Sequence, residues 1–148
     1  MKLEPAQIAD AAPLAKIMSD WLDETAWTPN LHRPDEDALF LQKLITYGDT
    51  TVLRNWRGVH GFLARDGATI HALYLAQKLR GQGWGKRLMD LAKSKETHLT
   101  LWTFQSNAGA RAFYKREGFV EVERTDGAGN DEKLPDIRMV WTRGDNNG

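Results

Sequence analysis

The chain has 148 residues, 41% of them hydrophobic and 27% charged, and twenty basic residues balance twenty acidic ones to a formal net charge of zero. These values fit one soluble globular domain with a core of reasonable size, and they exclude binding to a polyanion through overall charge. No cysteine is present, which excludes disulfides, thiolate metal sites and a cysteine nucleophile.

In chain order, "MKLEP" reads as a short first strand. "MKLEPAQIAD" lacks a signal-peptide core and the apolar runs are too short to span a bilayer, so a cytoplasmic protein is expected. Asp10 can cap a helix in which Leu14, Ile17, Met18, Trp21 and Leu22 form one apolar stripe. Residues 23–36 hold two prolines and no period, and read as a loop. A second helix spans 35–48, with Ala38, Leu41, Leu44 and Ile45 inward and Gly48 as its stop.

The period then changes from helical to alternating. Strands are expected at 50–56, 59–65 and 69–75, with tight turns at Arg57-Gly58 and Asp66-Gly67. A glycine stretch and a helix to about Ser94 follow, then a strand at 98–104, a helix at 107–118, and strands at 119–124 and 137–143. A long polar loop, 125–136, separates the last two strands, and a disordered "GDNNG" tail is expected. This order predicts an α/β (α+β) fold: a mixed, mostly antiparallel central sheet of six or seven strands with helices on both faces, as one domain over 1–143.

"RGQGWGK" sits between a strand and a helix. A helix N-terminus presents unpaired N–H groups and partial positive charge, and glycines let an anion approach them. Two common phosphate loops do not match. The triphosphate loop needs GxxxxGK followed by Ser or Thr, but Arg80 occupies the first glycine position and Arg87 follows Lys86. The dinucleotide loop needs GxGxxG after a first strand, whereas the spacing here is GxGxG after about the fourth.

The pattern that remains, Arg80-Gly81-Gln82-Gly83-Trp84-Gly85, resembles the [R/Q]xxGx[G/A] loop of the GNAT superfamily of N-acetyltransferases. "SNAGARAFYKREGF" (106–119) is similar to that family's NxxAxxFYxxxGF signature. The resemblance runs from the first helix to the last strand. It implies a GNAT-like fold and acetyl-CoA as co-substrate, with direct attack by an amine in a ternary complex. It also implies cofactor contacts by Leu73, Tyr74, Leu75, Arg80, Gly81, Gln82, Gly83, Trp84, Gly85, Lys86, Asn107 and Tyr114. Leu75 N–H would polarise the thioester carbonyl, and Tyr114 would act as general acid toward the leaving thiolate. Tyr114 also suits the amphipathic core beside Phe113, and Asn107 equally suits a helix N-cap.

The general base is less defined. His71 is the first candidate, because imidazole titrates near neutral pH; the family more often has a Glu or a water-relaying residue in this region. A sheet-face structural histidine is the alternative. Asp23, Glu24, Glu132 and Asp136 lie in or beside the long loops and could hold a cationic substrate, although each alone reads as a solvated loop charge; Asp136, just before the last strand, is the best of these for an ordered role. Trp27 is the better pocket candidate and Trp21 the better core candidate. Trp84 suits packing more than ligand contact. His32 and His60 lack metal-site spacing, and no metal is expected. The acceptor expected is a primary amine of a small molecule. A peptide or protein amine, and a non-catalytic acyl-CoA sensor, are the other readings. No nucleic-acid or membrane partner is expected; a homodimer is compatible with the family's habit of pairing last strands between subunits.

Overall fold

The structure is a computed structural model, and it describes residues 1–29 and 34–144. His32 and the rest of 30–33, within the expected loop, and 145–148 of the expected tail lie outside the described residues. The elements are β1 (Lys2–Pro5), α1 (Ala11–Glu24), α2 (Pro34–Tyr47), β2 (Asp49–Asn55), β3 (Gly58–Asp66), β4 (Thr69–Leu75), α3 (Trp84–Lys95), β5 (His98–Phe104), α4 (Ala108–Arg116), β6 (Val120–Thr125) and β7 (Asp136–Thr142). They form a seven-stranded sheet in the order β1-β2-β3-β4-β5-β7-β6. Neighbours are antiparallel except β4 and β5, which run parallel. A parallel pair needs a crossover, and α3 supplies it.

Helices cover both faces. Leu14 and Ile17 of α1 and Leu41 and Leu44 of α2 pack on Val52, Phe62, Ala64 and Ala72. Leu88, Met89 and Ala92 of α3 pack on Leu63, Ile70, Leu99, Leu101, Ile137 and Met139. Alternation along β3 explains why Phe62 and Leu63 join opposite cores. On β4 the alternation breaks: Ile70 and Ala72, two residues apart, also join opposite cores. The register slips there, with Ala64 opposite Ala72 and Arg65 opposite Ile70, so His71 is the extra residue of a β-bulge.

Asp10 does not cap α1. A short 3-10 turn, Ile8–Asp10, precedes the helix, and Asp10 makes no side-chain bond to the helix start. Its carboxylate instead accepts from the Gln7 N–H at 2.8 Å and from Arg54 Nη2 at 2.6 Å. Burial raises its carboxyl pKa, but the bonds from Arg54 and Gln7 outweigh burial and hold it below the ordinary range. Among the described residues, no helix is long and apolar enough to cross a membrane.

Candidate active site

The sheet opens between β4 and β5. Among the described residues the two strands register only at Thr69 and Thr100, near the start of β4. On its other edge β4 stays paired with β3 as far as Leu75, opposite Gly61. The Ala76 N–H donates to His60 O at 2.8 Å. Antiparallel pairs alternate, so Tyr74 and Ala72 direct their backbone groups toward β3, while Leu73 and Leu75 direct theirs toward the missing edge of β5. A row of backbone donors and acceptors therefore faces a cleft of about 1190 Å³. An extended amide-bearing chain could pair with that row as an added strand.

Beyond Leu75 the chain makes a 3-10 turn (Gln77–Leu79) and enters the glycine stretch. Gly81 has φ +75° and Gly83 φ +89°. A Cβ at either would meet nothing within 4 Å, so backbone conformation, not crowding, demands glycine there. Gly83 is the N-cap of α3, and the Arg87 N–H bonds to Gly83 O at 3.1 Å. The N–H groups of Trp84, Gly85 and Lys86 precede that first helical bond and stay free of the helix ladder. Gly81, Gly83, Gly85 and Lys86 line the cleft, so this end of it suits an anion.

Arg80 also lines the cleft and is held from two sides. Its Nε donates to Leu75 O at 3.1 Å and its Nη1 to Glu24 Oε2 at 2.7 Å. Gln82 turns back to donate to Lys78 O at 2.8 Å, and Trp84 stacks under Arg87, 4.7 Å from its ring centroid. Neither Gln82 nor Trp84 is part of the cleft lining. The Lys86 ammonium lies 3.3 Å from Asp90 and 3.7 Å from Glu117.

Two tyrosines reach the cleft from opposite faces of the sheet. Tyr114 comes from α4 and packs on Phe113 and Phe119, with ring centroids 5.4 and 5.6 Å away. Tyr74 packs with the α1 side, beside Trp21 and Phe62. Burial pushes the Tyr74 phenol up to about 12, helped by the negative charges of Glu132 and Asp37. Burial raises the Tyr114 phenol further, with Tyr74 as the lesser cause. Both phenols are therefore protonated at neutral pH and neither is a base there. Neither hydroxyl has a hydrogen-bond partner among the described residues. Asn107 caps α4, its Oδ1 accepting from the Ala110 N–H at 3.1 Å, and it also lines the cleft.

The opposite end of the cleft is aromatic and acidic. Trp21, Tyr74 and Phe104 line it, and Trp27 stands behind, edge-on to Trp21 and Phe104. Trp21, expected in the core, thus lines the cleft, because α1 is long enough to carry it there, and Trp27, the expected pocket residue, stands outside the lining and is exposed. The loop between β6 and β7 adds Gly129, Asn130 and Glu132. Hydrogen bonds order this loop. Asn130 Nδ2 donates to Leu134 O at 2.8 Å and to Asp136 Oδ2 at 3.3 Å, and Thr125 Oγ1 donates to Asp136 Oδ1. Gln105 Nε2 ties the loop's base to β5 through Thr125 O, at 3.2 Å. Asp136 is committed to this network, whereas Glu132 has no hydrogen bond or ion pair among the described residues.

His71, on the bulge, is exposed and lines the cleft. Asp23 is exposed and outside the lining, and Glu24 is engaged by Arg80. Sequence reasoning did not single out Thr103, Phe104, Asn130, Arg116 or Glu117, all of which line the cleft. Arg116 and Glu117 lie directly before the Gly118-Phe119 of the second motif, which was the available signal. Among the described residues, no group of three or more His, Asp or Glu side chains could hold a metal ion.

Known proteins share this architecture. Escherichia coli YjaB, solved in solution in its apo form, superposes with a TM-score of 0.78 at 21% identity, covering 97% of this chain and 98% of that one. Salmonella typhimurium yncA, a putative acetyltransferase solved with its cofactor acetyl-CoA, gives a TM-score of 0.72 at 18% identity, covering 100% of this chain and 96% of that one. The peptidyl-lysine N-acetyltransferase YiaC of Escherichia coli is 30% identical over 143 residues, 90% of this chain and 93% of that protein. A family model described as an acetyltransferase (GNAT) domain matches residues 42–121, the span that holds the splayed strands, the glycine turn and the tyrosine helix. The chain belongs to the GNAT family of acetyltransferases.

Proposed function

We propose that the protein is a cytoplasmic enzyme that moves the acetyl group of acetyl-CoA to a primary amine, by direct attack with both substrates bound. One observation carries the donor side: the backbone row of Leu73 and Leu75 faces the same cleft as the glycine turn and Tyr114. The row matches the amides of a pantetheine arm, and the turn matches a diphosphate. Acetyl-CoA supplies the activated acetyl group. In this reading Leu75 N–H holds the carbonyl oxygen as negative charge develops on it. The Tyr114 phenol carries the proton that a leaving thiolate needs. Leu73, Tyr74, Leu75, Arg80 to Lys86, Asn107 and Tyr114 together form the proposed donor site, with Gln82 and Trp84 contributing backbone.

On the acceptor side, Glu132, which has no ion pair among the described residues, shares the cleft with the aromatic wall of Trp21, Tyr74 and Phe104 and suits an alkylammonium ion. A small-molecule amine is the first reading. A lysine side chain of a peptide is the second, favoured by the name of YiaC. His71 takes the proton released from the amine, directly or through water. The His71→Ala variant should flatten the acidic limb of the pH–rate profile; an unchanged limb would remove His71 as the base.

The test is a calorimetric titration with acetyl-CoA against 3′,5′-ADP, followed by thiol-release assays on small polyamines, aminoglycosides and lysine peptides. Acetyl-CoA should bind more tightly than the control, and one amine class should show the highest kcat/KM. Failure of the folded protein to bind acetyl-CoA would end the donor assignment.

A further inference from the structure

Arg80 and Glu24 belong to different halves of the proposed site. Arg80 lies in the glycine turn, at the anion end. Glu24 ends α1, the helix that carries Trp21 to the acceptor end. They are 56 residues apart in sequence, yet their side chains meet at 2.7 Å. Both side chains are about a third exposed, at 36% and 30%, so solvent and ions can reach the pair. At the last turn of α1, Trp21 packs on Tyr74 and Trp27 and Thr25 bonds back to Leu22 O and Trp21 O, while the Glu24 carboxylate ties the turn to Arg80.

We infer that the Glu24–Arg80 ion pair is a latch, closed in the free enzyme, that a phosphate-bearing donor opens by taking Arg80 from Glu24. This rests on the donor reading above. Arg80 Nε stays anchored on Leu75 O, so the guanidinium can pivot without leaving the turn. A diphosphate offers Arg80 more negative charge than one carboxylate does, and bidentate geometry as well. Opening releases Glu24 and removes the tie between the last turn of α1 and the glycine turn, leaving Trp21 on its aromatic contacts. Glu24 is thus a positioning residue: it sets Arg80 and α1 in the free state and releases both when the donor arrives. Donor binding is thereby coupled to the end of α1, the helix that carries Trp21 to the cleft.

The experiment uses the whole protein with CoA as probe. Glu24→Gln removes the competitor for Arg80, so CoA should bind about two- to fivefold more tightly, the range expected for a pair this exposed. The gain should shrink as salt rises. Asp20→Asn, which removes a like charge from the same helix without touching Arg80, should leave CoA affinity unchanged. In an Arg80→Gln background Glu24→Gln should have no effect. Hydrogen exchange supplies a second readout. CoA should speed exchange in the last turn of α1, residues 21–25, while protecting 81–86. In Glu24→Gln, residues 21–25 should exchange fast from the outset. Unchanged or weaker CoA binding in Glu24→Gln, an equal gain in Asp20→Asn, or protection of 21–25 by CoA would each overturn the latch. Wild-type protein that is folded but does not bind CoA would overturn the donor reading itself, a different and separately visible failure.

Discussion

Replacing Tyr114 by Phe is expected to lower kcat by roughly 10²- to 10⁴-fold, the usual contribution of a positioned proton donor. Binding of CoA should be nearly unchanged. The substitution keeps the ring, and with it the contacts to Phe113 and Phe119. It removes only the hydroxyl. Burial raises the Tyr114 phenol above its ordinary value, and Tyr74 raises it further. A raised pKa means that the proton-carrying form persists as pH increases. Any loss of activity from ionising Tyr114 must therefore begin above the ordinary phenol pKa of ~10. Thiol-release kinetics and calorimetry on Tyr114→Phe, with a wild-type pH–rate profile, check both points. A variant that keeps its kcat and loses CoA affinity would make Tyr114 a structural residue. An alkaline limb in the wild type well below pH ~10 would have to belong to another group.

Gly127→Ala is expected to damage acceptor use severely while sparing the donor. Gly127 has φ +87°, and a Cβ there would lie 2.3 Å from the carbonyl carbon and oxygen of Leu134 and 2.7 Å from its nitrogen. Those are backbone atoms, held in place by the two bonds between Asn130 and Leu134. The loop cannot yield locally and must rebuild. Glu132, Asn130 and Gly129 would then leave their places on the cleft wall. We expect kcat/KM for the best amine to fall by about 10²-fold, the scale of a misplaced positioning contact. Stability should drop by about 1–3 kcal/mol from the strained residue. The glycine turn lies at the other end of the cleft, so CoA affinity should persist. Thermal melts, acceptor kinetics and CoA titration separate these effects. A destabilised variant with normal acceptor kinetics would show that the loop is not part of the acceptor site.

The order and type of elements were legible because the period of the apolar residues changes cleanly, from the stripe of α1 and α2 to the alternation of β2 and β3. The glycine turn was legible because Gly81 and Gly83 occupy positive-φ positions. The bulge at His71 was not, because Thr69 to Leu75 reads as an unbroken strand and the extra residue shows only against β3. The place of Trp21 on the cleft was hidden for a related reason: apolar periodicity marks the face of α1 but not how far it reaches past the sheet. Glu24 could not be matched to Arg80, nor Asp10 to Arg54, since nothing local links residues so far apart in sequence. Asp136 was singled out for an ordered role, and the structure gives it one, in the network that shapes the loop.

The weak seam between β4 and β5 gives α3 a second duty. Few backbone bonds join the two halves of the sheet, so the core beneath α3, with Leu63 and Ile70 on one side and Leu99 and Leu101 on the other, carries much of their union. The same helix presents the anion end of the cleft. The proposed acceptor walls come from the end of α1, where Trp21 on Tyr74 of β4 and Trp27 on Phe104 of β5 cross the same seam, and from the loop between β6 and β7, which does not. The cleft is thus built from a portion that also holds the sheet together and a portion, the loop, that does not. A descendant of this protein could trade one amine for another by altering the second portion alone, and would inherit the donor with the fold.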